Sequence, residues 1–184
     1  RYWKYDLSAR HLWVTKDNIN DEISDMGLSG EIGLLHIDID GNDYWIWQAI
    51  EVIVPVLVIM EYNSIFGAER EITIPYQDDF DRTERHYSNL YFGASLSALC
   101  YLANEKDYSF IGCNSAGNNA YFIKSNYMNG ELTEVAPEEG YVLSKFRESL
   151  DNAGRLSFLR DEERLAIIKG MPVVNVRENQ IEEL

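Results

Sequence analysis

The densest group of chemistry-bearing residues in the chain is His36-Ile37-Asp38-Ile39-Asp40-Gly41-Asn42-Asp43. Asp38 and Asp40 end a mostly apolar run that reads as a buried strand over residues 34–40. Alternate strand residues share a face, so the two carboxylates are expected to project together. Like charges that close need a cation, a donor or a proton between them. A second apolar run, residues 56–62, ends likewise in polar groups, Glu61 and Asn63. Asp40, Glu61 and Asn63 would make an oxygen-only donor set suited to magnesium, calcium or manganese. A metal held there would acidify a coordinated hydroxyl, which a carboxylate alone does poorly. Asn42 and Asp43 are expected to cap the next helix and close the turn.

Other candidates are more dispersed. His86 lies beside Arg85 and Tyr87 in a long loop, where it could serve as a base carried on a lid. His36 is expected to be a buried structural histidine, and His11 a surface one. Cys100 and Cys113 read as small core residues rather than nucleophiles. The Asp-x-Asp pattern also occurs in phosphatases of the haloacid dehalogenase type and in nucleotide-sugar glycosyltransferases. Asn42 stands where the phosphatases carry Thr or Val, and Gly41 is misplaced for a calcium loop.

The elements that must hold these residues follow from periodicity. A helix is expected over residues 15–26, with Thr15 as its cap and Gly27 as its stop. The strand at 34–40 leads to a short aromatic helix at 44–50 that Pro55 breaks, and then to the strand at 56–62. Residues 64–92 have no strong period and read as a long loop or lid, with Tyr87, Tyr91 and Phe92 at its flank. A helix at 94–105 should bury Leu96, Leu99, Cys100 and Ala103. Residues 108–113 and 119–124 read as a β-hairpin around the loop 114–118. Two further helices, at 138–151 and 160–169, and a polar tail complete the chain. Alternating α and β units imply an α/β fold, a parallel sheet covered on both faces, with an antiparallel hairpin at its end. Ligands of such sheets bind beyond the carboxyl ends of the strands, where both acidic clusters lie.

Composition narrows the partners. The 184 residues include 31 Asp and Glu against 16 Lys and Arg, a formal net charge of −15. Nucleic acid and anionic membranes are therefore not expected partners. Two cysteines exclude a disulfide framework. No apolar run approaches a membrane span, and no secretory leader is visible, so the expected compartment is the cytoplasm. The opening Arg1-Tyr2-Trp3-Lys4 suggests a portion of a longer polypeptide.

Three segments carry a resemblance. Leu34-Leu35-His36-Ile37-Asp38-Ile39-Asp40-Gly41-Asn42-Asp43-Tyr44-Trp45, Val58-Ile59-Met60-Glu61-Tyr62-Asn63, and the hairpin from Gly112-Cys113-Asn114 to Asn118-Asn119-Ala120-Tyr121-Phe122 resemble FkbM-like methyltransferases in order and spacing. The resemblance covers about residues 10–127 and implies a Rossmann-like three-layer sandwich of the class I fold, which uses S-adenosylmethionine. Residues 34–40 would be the family's fourth strand, 56–62 its fifth and 107–124 its sixth and seventh. The first strands, with their Gly-rich cofactor loop, would be missing. Residues 1–127 are then the carboxyl-terminal portion of a methyltransferase-like domain, and 128–184 a helical extension packed on it.

The implied activity is O-methyl transfer to a sugar or natural-product hydroxyl, with a small molecule or carbohydrate as acceptor. Asp38, Asp40 and His86 would be catalytic, and Asp38 and Tyr44 would border the cofactor. Asp40, Glu61 and Asn63 would hold Mg2+, as in metal-dependent O-methyltransferases of this general fold. The alternatives are a noncatalytic methyltransferase-like binding module and the phosphatase. Without its neighbours the strand at 34–40 becomes an exposed edge, which a second copy of the chain could cover.

Overall fold

In the computed structural model, which describes residues 7–145 and 148–184, the first helix is α1 (Ile19–Asp25). A turn at Thr15, whose carbonyl accepts from Asn18 and Ile19, precedes it. Gly27, at φ +77°, ends it. The opening residues Arg1 to Lys4 lie outside the described residues.

Strand β1 (Gly30–Ile37) starts earlier than its sequence suggests and stops before the two aspartates. The reason lies in the turn that follows. Asp43, at the start of α2 (Asp43–Ala49), accepts hydrogen bonds from the N–H groups of Ile39 (3.0 Å) and Gly41 (2.9 Å). Asp40 adopts φ +57°. The chain thus coils onto the helix N-terminus, and Asp38 and Asp40 do not share a strand face, contrary to expectation. Strand β2 (Ile53–Glu61) runs parallel to β1, with Gly30 opposite Ile53 and Ile37 opposite Met60. Pro55 does not break the helix but sits inside β2. It is tolerated because β5, on the other side, pairs only from Leu57 onward, so no ladder bond is lost there.

Residues 64–92 are not an open lid. They hold one 3-10 turn (Ser64–Phe66), β3 (Ile72–Thr73) and α3 (Arg82–Arg85). Ile65, Phe66, Ile72, Ile74, Leu90 and Phe92 are buried in a second core. Tyr91 is buried too and donates its hydroxyl to the carbonyl of Pro172. Helix α4 (Leu96–Glu105) starts at Ser95, whose Oγ accepts from Ala98 N–H at 3.1 Å. Leu96, Leu99, Cys100 and Ala103 are buried, as their spacing predicted.

The hairpin of β4 (Tyr108–Cys113) and β5 (Asn119–Lys124) forms where expected. Asn114 Oδ1 ties its loop by accepting from Gly117, Asn118 and Asn119. Strand β5 inserts antiparallel between β2 and β4, so the sheet order is β1-β2-β5-β4. The sheet is mixed rather than mostly parallel, although β1, β2 and β4 point the same way.

Helices α2 and α4 pack on one face of this sheet, where Trp47 meets Phe122 and Tyr108. The opposite face carries Leu34, His36, Leu57, Ile59, Tyr121 and Ile123, all exposed or half-buried. Leu34 is 52% exposed. Among the described residues the expected three layers are therefore two, and His36 is not buried. Strand β1 is an edge, as the sequence led one to expect of a chain without the earlier strands.

The carboxyl-terminal part departs furthest from expectation. Instead of a helix over 138–151 there is one turn, α5 (Pro137–Gly140), and residues 141–145 and 148–149 form no helix or strand; Phe146 and Arg147, within the expected helix, lie outside the described residues. Helix α6 (Asp161–Ile168) is present. The supposed polar tail is a hairpin, β6 (Pro172–Asn175) and β7 (Gln180–Glu183). It joins β3 in a second sheet of order β3-β6-β7, burying Val173 against Ile72 and Ile168. Among the described residues no helix is long and apolar enough to cross a membrane.

Candidate functional site

The carboxyl ends of β1 and β2 open on a two-lobed cleft. Arg82 and Glu148 line both lobes. The larger lobe, about 500 Å³, lies over the turn after β1 and includes Asp40, Asp81, Asn89 and Trp13. The smaller, about 220 Å³, lies beyond β2 and includes Glu61, Asn63, Asn118, Ser144 and Arg164. The structure thus brings Asp40 and Glu61 to one cleft, as two adjacent strand ends should.

Arg82 is the partition between the lobes. Its Nη1 donates to Asp40 Oδ1 at 2.8 Å and its Nε to the carbonyl of Asn89 at 2.7 Å. The guanidinium lies 3.7 Å from the centre of the Phe92 ring, a cation–π stack that fixes its plane. No sequence signal pointed to Arg82, which sits in an acidic stretch far along the chain from both strands. Trp13, Glu148 and Arg164 were missed for the same reason.

Glu61 is the most perturbed carboxyl in the cleft. Burial pushes its pKa up to about 8; Asp43, Asp38 and Asp40 add to the rise, and Arg82 opposes it. Its Oε2 is enclosed and accepts no hydrogen bond among the described residues. At pH 7 the group is therefore mostly the neutral acid. Above pH 8 it is a carboxylate far more basic than an ordinary one. Asp43 is fully buried, and burial raises it to about 6 despite the two backbone N–H donors that favour its charge. Its role is to hold the turn, as expected, but the expected cap is not formed: neither Asp43 nor Asn42 makes a side-chain cap hydrogen bond to α2, and Asn42 donates instead to the carbonyl of Gln77.

The remaining expected residues fare differently. Asn63 is buried and fully engaged: its Nδ2 donates to the carbonyls of Leu90 (2.9 Å) and Phe92 (3.0 Å), and its Oδ1 accepts from Ile65 N–H (3.0 Å). At 1% exposure, with both ends of its amide bonded to loop backbone, Asn63 is a staple between two loops. Among the described residues no group of three or more His, Cys, Asp or Glu side chains could hold a metal ion. With Asp40 held by Arg82 as well, the Mg2+ site formed by Asp40, Glu61 and Asn63 does not fit what the residues offer.

Tyr44 is 2% exposed and packs edge-on against Trp45 at 5.1 Å, so it borders no ligand. His86 lines neither lobe. Its Nδ1 lies 2.8 Å from Ser88 Oγ, its ring rests 4.5 Å from Tyr87, and burial lowers its pKa. It caps its own turn and is not a base poised over the cleft. Asp38 is exposed and lies after the end of β1. With it off the strand, the paired-aspartate geometry of a phosphatase is not formed. Cys100 is buried, and burial also raises both it and the half-buried Cys113, to about 11 for the latter, so both thiols are inert.

No family model matches the chain, and neither a curated protein nor a solved structure does.

Proposed function

We propose that the chain is the acceptor-side part of a Rossmann-like S-adenosylmethionine-dependent O-methyltransferase, with Glu61 as the base for the acceptor hydroxyl. The observation that carries this reading is Glu61 itself: a strand-end carboxyl, enclosed at one oxygen, without a hydrogen-bond partner there, and facing a cleft. The sheet order supports it. Two adjacent parallel strands followed by a hairpin that adds an antiparallel strand is consistent with the closing hairpin the resemblance implied for the fourth to seventh strands of that fold.

The free edge of β1 and the uncovered apolar face beside it are where further strands and helices of such a domain would pack. Among the described residues no Gly-rich turn follows a strand to cradle the cofactor, and Tyr44 is unavailable for it. This chain's residues accordingly supply the acceptor side, and Asp38 alone remains near the expected cofactor position.

The cofactor, when bound, supplies an electrophilic methyl group. The Glu61 carboxylate, which lines the smaller lobe, accepts the hydrogen bond of the acceptor hydroxyl and takes its proton as the oxygen attacks. Arg82, stacked and ion-paired, separates Asp40 from Glu61 and keeps two carboxylates from facing each other across the cleft. Because Glu61 is raised to about 8, the active carboxylate grows as pH rises from 7 to 9. About a tenth of the molecules hold it at pH 7 and about nine-tenths at pH 9, an expected gain of about ninefold in rate.

Transfer from methyl-labelled S-adenosylmethionine to a panel of hydroxyl acceptors is the test, with Glu61→Gln as control. Labelled ether product that rises with pH and falls at least about 100-fold in the variant supports the reading. Calorimetry with S-adenosylmethionine separates it from a noncatalytic binding module, which the absent Gly-rich turn favours. Failure to bind the cofactor would leave that second reading in place.

A further inference from the structure

We propose that the larger lobe of the cleft is a subsite for a saturated, hydroxyl-bearing ring, a pyranose in the simplest case, stacked on the indole of Trp13. The inference rests on the acceptor reading above, which it deepens by naming the ring that presents the hydroxyl.

Trp13 is 56% exposed, yet its indole is held: Nε1 donates to the carbonyl of Asp78, while the backbone carbonyl of the same residue accepts from Asn18 Nδ2 at 2.8 Å. Holding a large aromatic side chain in one orientation costs rotamer entropy, and an indole left half in water recovers little of that through burial. An indole so held is a platform: it offers an apolar face to something that arrives from outside. Phe80, Leu150 and Leu156, the last also 55% exposed, line the same lobe and add apolar surface to that of the indole.

The polar rim selects the ring. Asp40, Asp81 and Glu148 are acceptors when ionised, and Asn89 Oδ1 is an enclosed acceptor with no partner among the described residues. Arg82 is the donor at the rim whose contacts are known, and two of its nitrogens are already engaged. A rim of acceptors suits a ligand rich in O–H donors. A purine suits it poorly, since it offers one amino group and several ring acceptors that would face carboxylates. A pyranose has an apolar C–H face for the indole and hydroxyls around its edge for the carboxylates. The volume, about 500 Å³, lies within the ordinary range for small-molecule sites. Arg82 and Glu148 are common to both lobes, so the ring's subsite adjoins the lobe that holds Glu61.

The test needs neither cofactor nor turnover, so its failure is distinct from failure of the methyl-transfer reading. Methyl glycosides of glucose, galactose and mannose, and adenosine as the flat aromatic comparison, are titrated against the 184-residue chain. Saturation-transfer NMR and tryptophan fluorescence report binding. At least one glycoside is expected to bind through its C–H face. Trp13→Ala is expected to weaken it at least about tenfold, and Trp13→Phe, which keeps a ring, by about threefold or less. Asn89→Gly accepts the backbone angle of φ +60° at that position and removes the amide side chain together with its enclosed oxygen, while the backbone carbonyl that Arg82 uses stays in place. It is expected to weaken binding about fivefold, and it provides an independent arm if Trp13→Ala fails to fold. No glycoside binding at millimolar concentration, binding of adenosine alone, or glycoside binding indifferent to Trp13→Ala or, where that variant does not fold, to Asn89→Gly would overturn the proposal.

Discussion

Replacing Glu61 by glutamine probes the site through stability alone, without any knowledge of substrate. Glutamine keeps the shape of the side chain and cannot ionise. In the folded protein the Glu61 carboxyl is raised to about 8 from an ordinary 4.5, first by burial and then by Asp43 and Asp38. The sign follows directly. A folded state that holds its proton more tightly than the unfolded chain has νN greater than νU between the two values, so stability falls as pH rises from about 4.5 to about 8. Below this window there is no penalty, and above it the penalty is constant. At about 1.4 kcal/mol per pH step, the full gap corresponds to about 5 kcal/mol as an upper bound. The carboxyl is half-buried beside an open cleft, and water there screens the charge, so about 2–3 kcal/mol is the working figure.

Urea unfolding of both proteins, repeated at several pH values from 4 to 9, reads this difference. The expected result is a wild-type curve that loses about 2–3 kcal/mol relative to Glu61→Gln, with the change confined to the window between the two values. Asp43, raised to about 6 by its burial, titrates in both proteins and drops out of the difference to first order. Curves that run parallel from pH 4 to 9 would mean that the carboxyl is well solvated, and the base assigned to the cleft would lose its physical ground.

Two further perturbations test the frame that positions Glu61. Asn63→Ala removes three buried hydrogen bonds and strands the carbonyls of Leu90 and Phe92, with an expected loss of about 3 kcal/mol or more. Chemical denaturation measures the loss, and a titration with MgCl2 should move neither protein, since the residue is a staple and not a ligand. Gly117→Ala would place its Cβ 2.6 Å from the Val142 carbonyl oxygen at φ +76°, where nothing but backbone is near. A loss of about 2–4 kcal/mol is expected, with protease cleavage rising in the segment around residues 142–145 that lies over the hairpin loop.

The sequence made several elements legible because each is specified within a few residues of itself. Ser95 and the spacing of Leu96, Leu99, Cys100 and Ala103 define α4, and Asn114 closes the hairpin loop through its own short-range bonds to Gly117, Asn118 and Asn119. The mistakes fall where a distant partner decides. Asp38 and Asp40 read as strand residues until Asp43 draws the N–H groups of Ile39 and Gly41 into the turn. Residues 64–92 lack a period because their apolar residues meet β6 and α6, about a hundred positions away, and not a regular face of their own. The β6–β7 hairpin is short and charged, and it becomes a sheet only by pairing with β3.

What the sequence determined by itself was the direction of the argument: two apolar strands, parallel through a short helix, each delivering carboxylates at its far end. Hydrophobic patterning and turn chemistry suffice for that, since both act over a few residues. Which oxygens are usable was decided only in three dimensions. The Asn63 oxygen accepts from the N–H of Ile65, Asp40 pairs with Arg82 through Oδ1, and Asp43 is taken up by the turn, while Glu61 keeps one oxygen enclosed and without a partner among the described residues. Proton affinity and ligand access depend on burial and on the charges nearby in space, and those neighbours come from segments that chain order leaves far apart.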